Sequence, residues 1–158
     1  MKSLSDEKLE QIVKTYSSSL YRFALAYLKN HSESQDVVQE VFIKFIRKQP
    51  VFVSEAQEKA WLYKVTSNKC KDILKSSRYK KEMPITQDIN EIEMPERTDV
   101  LDYVLNLEEK YRIPVHLYYY EGYSIKEIAK LTSSNPSTVS THLDRARKIL
   151  KDVIGEAI

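Results

Sequence analysis

The sequence predicts an all-α protein of two small helical domains joined by a flexible linker. Apolar residues recur at three- and four-residue spacing through most of the chain, which is the period of a helix with one buried face. Glycine occurs only twice in 158 residues, far below its usage in folds rich in tight turns. The helical period is lost between about residues 76 and 98, and the length suffices for a small domain on either side. The chain is therefore expected to divide there.

The first domain, residues 1–77, is expected to contain four helices that bury one core. Apolar spacing predicts the first two helices at about 6–16 and 18–29. The third begins at "SESQ", residues 32–35, and the fourth at "SEAQ", residues 54–57, since both have the form of an N-terminal capping box. Their apolar stripes are Val38, Val41, Phe42, Phe45 and Ile46 on the third helix and Trp61, Leu62, Val65, Ile73 and Leu74 on the fourth.

Residues 78–97 form the predicted linker, which has two prolines, many acids and no sustained period. The whole chain carries a net charge of only +2, but its charges are segregated. Residues 59–81 carry a net charge of +7, whereas residues 82–102 carry −6. This distribution indicates more about partners than the net charge does.

The second domain, residues 98–158, begins with a fifth helix near Val100. A sixth helix is predicted over 107–121. Pro114 is expected to kink it because proline deletes one helical hydrogen bond, and Gly122 is expected to end it.

Residues 123–150 have the pattern of two helices joined by a short polar turn. Ser124 and Glu127 form a capping box for the first of them. Asn135 is expected to cap the second, with Pro136 at its first position, where a missing N–H costs nothing. The buried stripe of this second helix is Val139, Leu143, Ala146 and Leu150. Its opposite, polar side would fit a DNA major groove, but a plain helical hairpin with a solvated face has the same spacing.

The sequence indicates no enzyme site. The single cysteine, Cys70, excludes an internal disulfide and a thiolate zinc cluster. His31, His116 and His142 lie on different predicted helices, and no phosphate-binding loop or metal-ligand spacing is present. We therefore expect no catalytic residue, no metal and no cofactor. No signal-peptide core or membrane-spanning stretch occurs, so a cytoplasmic protein without membrane insertion is expected.

Four segments of the chain form a recognisable series: "SQDVVQEVFIKFIRK", "AWLYKVTSNKCKDIL", "EGYSIKEIAKL" and "STVSTHLDRARKIL". In their order and spacing they resemble a known family, the extracytoplasmic-function (ECF) sigma factors. The resemblance covers nearly the whole chain and implies a specificity subunit of bacterial RNA polymerase from the sigma-70 family. Residues 1–77 would be the region 2 domain, which binds core polymerase and the minus-10 promoter element. Residues 98–158 would be the helix-turn-helix region 4 domain, which binds the minus-35 element.

The resemblance assigns polymerase docking to a set of residues on the third helix, called here the acidic strip. The strip consists of Asp36, Gln39, Glu40 and Ile43 and would contact the clamp helices of core polymerase. The spacing places all four residues on one helix face, distinct from the buried stripe. A solvated face would fit the two acids equally well. An anti-sigma protein, which commonly restrains members of this family, is a further expected partner.

The fourth helix and the loop before it, residues 49–54, resemble the part that captures the unwound, single-stranded minus-10 element. The implied contacts are Phe52 and Trp61 together with a basic stripe of Lys64, Asn68, Lys71 and Lys75. Lysines would follow the phosphates, while Asn68 would hydrogen-bond the edge of a flipped base. Phe52 and Trp61 are candidate walls of the base pocket, but both also suit the protein core.

The last helix would read the duplex minus-35 element. Its candidate contacts are Ser137, Thr138, Ser140, Thr141, His142, Asp144, Arg145, Arg147 and Lys148. By resemblance Ser140, Thr141 and Asp144 face bases, whereas Thr138, Arg145 and Arg147 face the backbone. Family members often carry lysine or arginine at the positions of Ser140 and His142, so weaker phosphate attraction is expected. Asp144 could accept from a cytosine or pair with Lys148, and the pairing is slightly preferred.

One alternative interpretation is a helix-turn-helix regulator that acts without docking on polymerase. Such a protein would need neither the acidic strip nor the basic stripe. The acidic linker suits passage along a basic channel of polymerase, and it suits a charged, soluble spacer equally well.

Overall fold

The computed structural model describes residues 5–76 and 103–157, with side chains to residue 153. It divides into two compact units, residues 1–83 and 84–158, and the described residues are helices and their connections. The predicted all-α class with two helical domains is thereby confirmed. The expected linker at 78–97 lies outside the described residues, as does the whole acidic segment, residues 82–102.

The first unit begins with one long helix, α1 (Asp6–Leu28), where two were expected. No glycine or proline interrupts the sequence near Ser17, and serine costs only a fraction of a kcal/mol, roughly, in a helix interior. Both halves are also anchored by burial, since Ile12 is 2% exposed and Phe23 is fully buried. Continuous packing therefore overrides the weak local signal. The described part of this unit has three helices instead of four.

The second helix, α2 (His31–Lys48), follows after a two-residue connection. Its N-cap is Asn30, whose side-chain oxygen accepts from the Glu33 N–H at 2.9 Å, so the predicted start at Ser32 was two residues late. Asn30 is as good a cap as serine and lies directly after the left-handed residue that ends α1. Ile46, predicted to be buried, is 44% exposed because it lies about 100° around the helix from the buried Phe45.

The third helix, α3 (Glu55–Lys75), starts at the predicted cap. The Ser54 hydroxyl accepts from the Gln57 N–H at 3.2 Å. The Gln57 side chain reaches back to the N–H of Val53 at 3.0 Å. All three helices contribute to one core, whose largest fully buried side chains include Leu20, Phe23, Val37, Val41, Leu62 and Tyr63. The hydroxyls of Tyr27 and Ser67 share a buried hydrogen bond of 2.8 Å between α1 and α3.

In the second unit, the single helix predicted over 107–121 is an α-helix followed by a π-helical segment. A helical turn at 103–105 precedes α4 (Glu109–Val115), and a π-helical segment (His116–Tyr120) continues directly from α4. Pro114 has no N–H to donate within α4, and the wider turn begins two residues later. Gly122 then turns the chain with a φ of 76°, as its position predicted.

The helix-turn-helix has its expected form. The capping box of α5 (Ile125–Leu131) is complete, with two hydrogen bonds of 3.1 Å between Ser124 and Glu127. Ser133 adopts the left-handed conformation with a φ of 54°, and α6 (Pro136–Ala157) follows. The buried side of α6 is formed by Val139, Leu143 and Ala146, with Leu150 half-buried.

Candidate polymerase and nucleic-acid interfaces

The acidic strip is exposed along its whole length. Asp36, Gln39, Glu40 and Ile43 are all exposed on α2, and Ile43 is 51% exposed despite its apolar side chain. Glu40 is held by Lys69 of α3, whose ammonium lies 3.1 Å from the Glu40 carboxylate. An apolar side chain beside carboxylates suits a partner surface that is basic at its edge and apolar at its centre.

Next to the strip, α1 and α2 enclose an open groove of about 350 Å³. Its lining consists of Ser17, Ser18, Tyr21, Gln35, Val38 and Gln39. Gln39 belongs to both the groove and the acidic strip. The α1 side of this groove was not predicted from the sequence, because a break between two helices was expected at Ser17.

The basic stripe of α3 faces outward. Lys64, Asn68 and Lys75 are exposed, and Lys71 is half-buried. Asn68 therefore has its amide accessible between cations, which suits a contact to an unpaired base flanked by phosphates. Cys70, two residues along the helix, is fully buried, as an inert thiol would be.

The loop between α2 and α3 turns its aromatic residue inward and its aliphatic residues outward. Phe52 is half-buried, with its ring 6.3 Å from that of Phe45 and 6.2 Å from that of Trp61. Phe45 and Trp61 are themselves 5.8 Å apart, so the three rings form one cluster at the edge of the core. Val51 and Val53 are 94% and 87% exposed, although neither was predicted as a contact from the sequence. The outer surface of this loop is therefore apolar.

The candidate minus-35 contacts lie where the sequence placed them, on the outward side and flanks of α6. Seven of the nine are exposed, whereas Ser140 and His142 are half-buried. The Ser137 hydroxyl donates to Asn135 Oδ1 at 2.9 Å, and the Thr141 hydroxyl donates to the Ser137 carbonyl at 2.9 Å. His142 packs edge-on against Tyr111 of α4 at 5.6 Å. The early hydroxyls thus offer a base their acceptor lone pairs more readily than their hydrogens.

Arg147 and Asp144 form an ion pair at the middle of this helix. The Nη1 of Arg147 lies 2.8 Å from Asp144 Oδ1. Asp144 therefore does form an ion pair, but with Arg147 and not with Lys148 as predicted. Residues three apart on a helix are neighbours, as are residues four apart, and here the planar guanidinium supplies the shorter contact. Arg147 also donates from Nε to the Tyr119 hydroxyl at 2.6 Å. That hydrogen bond is the main cause of a raised pKa of the Arg147 guanidinium.

Within residues 5–76 and 103–157, no group of three or more histidine, cysteine, aspartate or glutamate side chains is arranged to hold a metal ion. None of the described helices combines the length and the apolarity needed to cross a membrane. His116 and Glu121 instead form a nearly buried pair, 3.4 Å apart, across the π-helical segment.

Two sequence families match the chain, one in each unit. The family described as Sigma-70 region 2 matches residues 12–79, which include α2, α3 and most of α1. The family described as Sigma-70, region 4, matches residues 97–150, which include the helix-turn-helix. Together they span most of the chain and both candidate interfaces.

Known sigma factors are similar over nearly their full length. The RNA polymerase sigma factor SigV of Bacillus subtilis is 28% identical over 144 residues, covering 86% of this chain and 84% of SigV. The ECF RNA polymerase sigma factor SigM of the same organism is 26% identical, covering 95% of this chain and 97% of SigM.

Solved structures share the fold. The sigma factor RpoE of Bartonella quintana, in complex with the anti-sigma factor NepR, aligns with a TM-score of 0.73 at 20% identity, covering 94% of this chain and 98% of RpoE. CnrH, in complex with the cytosolic domain of CnrY, aligns with a TM-score of 0.72 at 20% identity, covering 96% of this chain and 90% of CnrH. Since region 2 and region 4 both match and the relatives are ECF sigma factors, the chain belongs to the ECF group of the sigma-70 family of RNA polymerase sigma factors.

Proposed function

We propose that this sigma factor directs core polymerase to its promoters through two surfaces of the first unit and one of the second. The observation that supports this most directly is the placement of the acidic strip and the basic stripe on different helices of one core. Apart from the half-buried Lys71, the residues of both surfaces are exposed, and each surface has the chemistry that its proposed partner requires. Polymerase and single-stranded DNA can therefore be held at the same time.

The acidic strip is the proposed polymerase contact. Ile43 supplies an apolar anchor at the centre of the contact, and Asp36 and Glu40 supply charges for a basic partner. Ionic contacts at the rim steer association, while the buried apolar contact contributes more to affinity.

The basic stripe and the loop before α3 are the proposed minus-10 site. Extruding a base costs a few kcal/mol, roughly, which stacking and hydrogen bonds in a protein pocket must offset. Asn68 supplies the hydrogen bonds and the lysines supply phosphate contacts. The half-buried Phe52 and Trp61 support the loop from within, so the exposed Val51 and Val53 are the apolar groups available at its surface.

The outward side of α6 is the proposed minus-35 reader. Ser140, Thr141 and Asp144 face base edges, and Thr138, Arg145 and Arg147 face phosphates, with Ser137, His142 and Lys148 completing the surface. The domain limits proposed for this arrangement are 1–77 and 98–158, with 78–97 as the linker.

We further propose that the protein acts by binding, without catalysis of its own, and works in the cytoplasm with polymerase. Both solved neighbours named above are complexes with an anti-sigma factor or a cytosolic partner domain. We therefore propose an anti-sigma protein as a further partner of this chain. A helix-turn-helix regulator without polymerase docking is not favoured, because the region 2 match covers a second unit that such a regulator does not need.

Run-off transcription with the full chain and core polymerase, on a library of random promoters, tests the proposal. We expect transcripts only when the chain is present, and the enriched templates should share two elements at fixed spacing. Core polymerase alone is the control. A chain that fails to bind core polymerase under conditions where a known sigma factor binds would contradict the proposal.

A further inference from the structure

The three consecutive tyrosines 118–120 take no part in the proposed contacts with DNA, yet one of them holds a proposed DNA contact in place. Tyr119 is 53% exposed at the end of the π-helical segment, and its hydroxyl accepts from Arg147 Nε at 2.6 Å. The Arg147 guanidinium also lies 5.7 Å from the ring centres of both Tyr118 and Tyr119. The hydrogen bond to Tyr119 and the ring of Tyr118 therefore fix a side chain that is 43% exposed.

The π-helical segment accounts for two adjacent residues reaching the same guanidinium. Successive side chains of an α-helix diverge by about 100°. A turn closed by hydrogen bonds between residues five apart, such as that from the Glu121 N–H to the His116 carbonyl, holds more residues per turn. Neighbouring side chains then diverge less, and Tyr118 and Tyr119 can both face α6. Such segments often occur at functional positions.

The bonds made by Arg147 leave it competent to bind a phosphate. A guanidinium has five N–H donors. Tyr119 takes one from Nε and Asp144 takes one from Nη1, so three remain after these two hydrogen bonds. The Asp144 carboxylate is 65% exposed and has its second oxygen outside the Arg147 contact. The chain of contacts from Tyr119 to Arg147 to Asp144 thus orients a backbone contact and a base contact together.

We infer that Tyr119 is a positioning residue of the minus-35 reader, which fixes the Arg147 guanidinium, and through it the Asp144 carboxylate, before DNA arrives. This inference rests on the proposed function of α6. Tyr119 itself need not touch DNA. Its contribution is to remove rotational freedom from Arg147 in the free protein, so that less is lost on binding.

Tyr119→Phe is the discriminating variant, because it removes the hydroxyl and retains the ring. Tyr120→Phe is the matched control. It removes the hydroxyl of the next tyrosine, whose ring stacks on that of His116 at 6.1 Å. The probe is a promoter duplex that wild-type holoenzyme selects from a random library. Dissociation constants of holoenzymes assembled with each full-length variant are measured at several salt concentrations, after thermal unfolding has verified that each variant is folded.

We expect Tyr119→Phe to weaken duplex binding about two- to fivefold, within the range of one hydrogen bond, and Tyr120→Phe to match wild type. Arg147→Gln should weaken binding further and reduce the slope of log affinity against log salt by about 1. In the Arg147→Gln background, Tyr119→Phe should have no additional effect. A residue that only supports the fold would give additive losses in this cycle.

The outcomes separate the inference from the function it rests on. If Arg147→Gln weakens binding but Tyr119→Phe has no effect, or has the same effect with and without Arg147, Tyr119 is not a positioning residue and α6 keeps its proposed role. If Arg145→Gln and Arg147→Gln both leave the binding of a transcriptionally active holoenzyme unchanged, the proposed DNA surface of α6 is wrong. The positioning role of Tyr119 is then wrong as well.

Discussion

The proposed contact side chains differ in how firmly neighbouring residues hold them in the free protein. Arg147 is tied to two partners, whereas Asn68 is exposed between lysines on α3. The first was selected from the sequence as a phosphate contact, but the tyrosine that holds it was not. A tyrosine that precedes a helix-ending glycine is ordinary in sequence, and only the π-helical geometry brings its hydroxyl to α6.

Asn68→Ala should lower the yield of open promoter complexes about five- to tenfold, because the proposed amide contact to a flipped base is worth about one hydrogen bond to a partner otherwise left unpaired. Permanganate reactivity of unpaired thymines measures opening, and a pull-down measures polymerase binding, which should not change. Gln11→Ala, which removes an exposed amide of α1 outside the proposed surfaces, is the control. Equal opening by Asn68→Ala and wild type would remove Asn68 from the proposed site.

At the scale of elements, two of the three predicted capping boxes and the proline at 136 marked helix starts correctly, whereas the box at Ser32 was two residues late. The boxes at Ser54 and Ser124 both mark real helix starts. In the first of them, however, the Gln57 side chain accepts from the N–H of Val53 instead of the expected N–H of Ser54. The break expected at Ser17 does not exist, because burial on both sides outweighs the small cost of serine. The π-helical segment was not predicted either. A proline indicates that the α-helical hydrogen bonding is disturbed, but it does not indicate whether a kink or a π-helical segment results.

Ser124→Ala should destabilise the second unit by about 1 kcal/mol, because it removes one bond of the capping box and leaves the Glu127 N–H without its cap. Urea unfolding measures the loss. Lys126→Ala in the same short helix is the control and should lie within about 0.5 kcal/mol of wild type, as for most exposed positions. Equal stability of Ser124→Ala and Lys126→Ala would show that the cap does not stabilise this unit.

Arg145→Gln should weaken duplex binding by a similar factor on all promoter sequences and reduce the salt slope by about 1, since its proposed partner is a phosphate. Binding of holoenzyme to selected and scrambled duplexes at several salt concentrations measures both effects. Lys14→Gln, an exposed cation of α1, is the matched control for loss of one charge. A loss confined to the selected sequence would instead identify Arg145 as a base contact.

At the scale of the whole molecule, the two units divide the work. The first has the proposed polymerase and single-strand surfaces, and the second has the proposed duplex reader. Polymerase assembly and minus-35 recognition are therefore expected to fail separately when one surface at a time is changed.

Ile43→Lys should lower the amount of holoenzyme formed at least tenfold, since it places a charge at the apolar centre of the proposed contact, where interface residues of this kind are worth more than about 1 kcal/mol. Holoenzyme that does form should bind promoter duplex as wild type does. Arg145→Gln should leave holoenzyme formation unchanged and weaken duplex binding. The double variant should show both the loss of assembly and the loss of duplex binding at full size. Val153→Lys, an exposed aliphatic position of α6, is the control for the added charge. Normal assembly with Ile43→Lys would exclude the acidic strip as the docking surface.

The sequence by itself determined the all-α class, the two units, the helix-turn-helix and, except for Ile46, the faces of α2, α3 and α6, because helical periodicity and capping residues act over a few neighbours. Only the tertiary structure decided the continuity of α1, the inward turn of Phe52 and the partner of Asp144. It also decided the contact from Tyr119 to Arg147. Each of these depends on packing between elements distant in sequence or on small differences between neighbouring side chains, and neither leaves a periodic signal in the sequence.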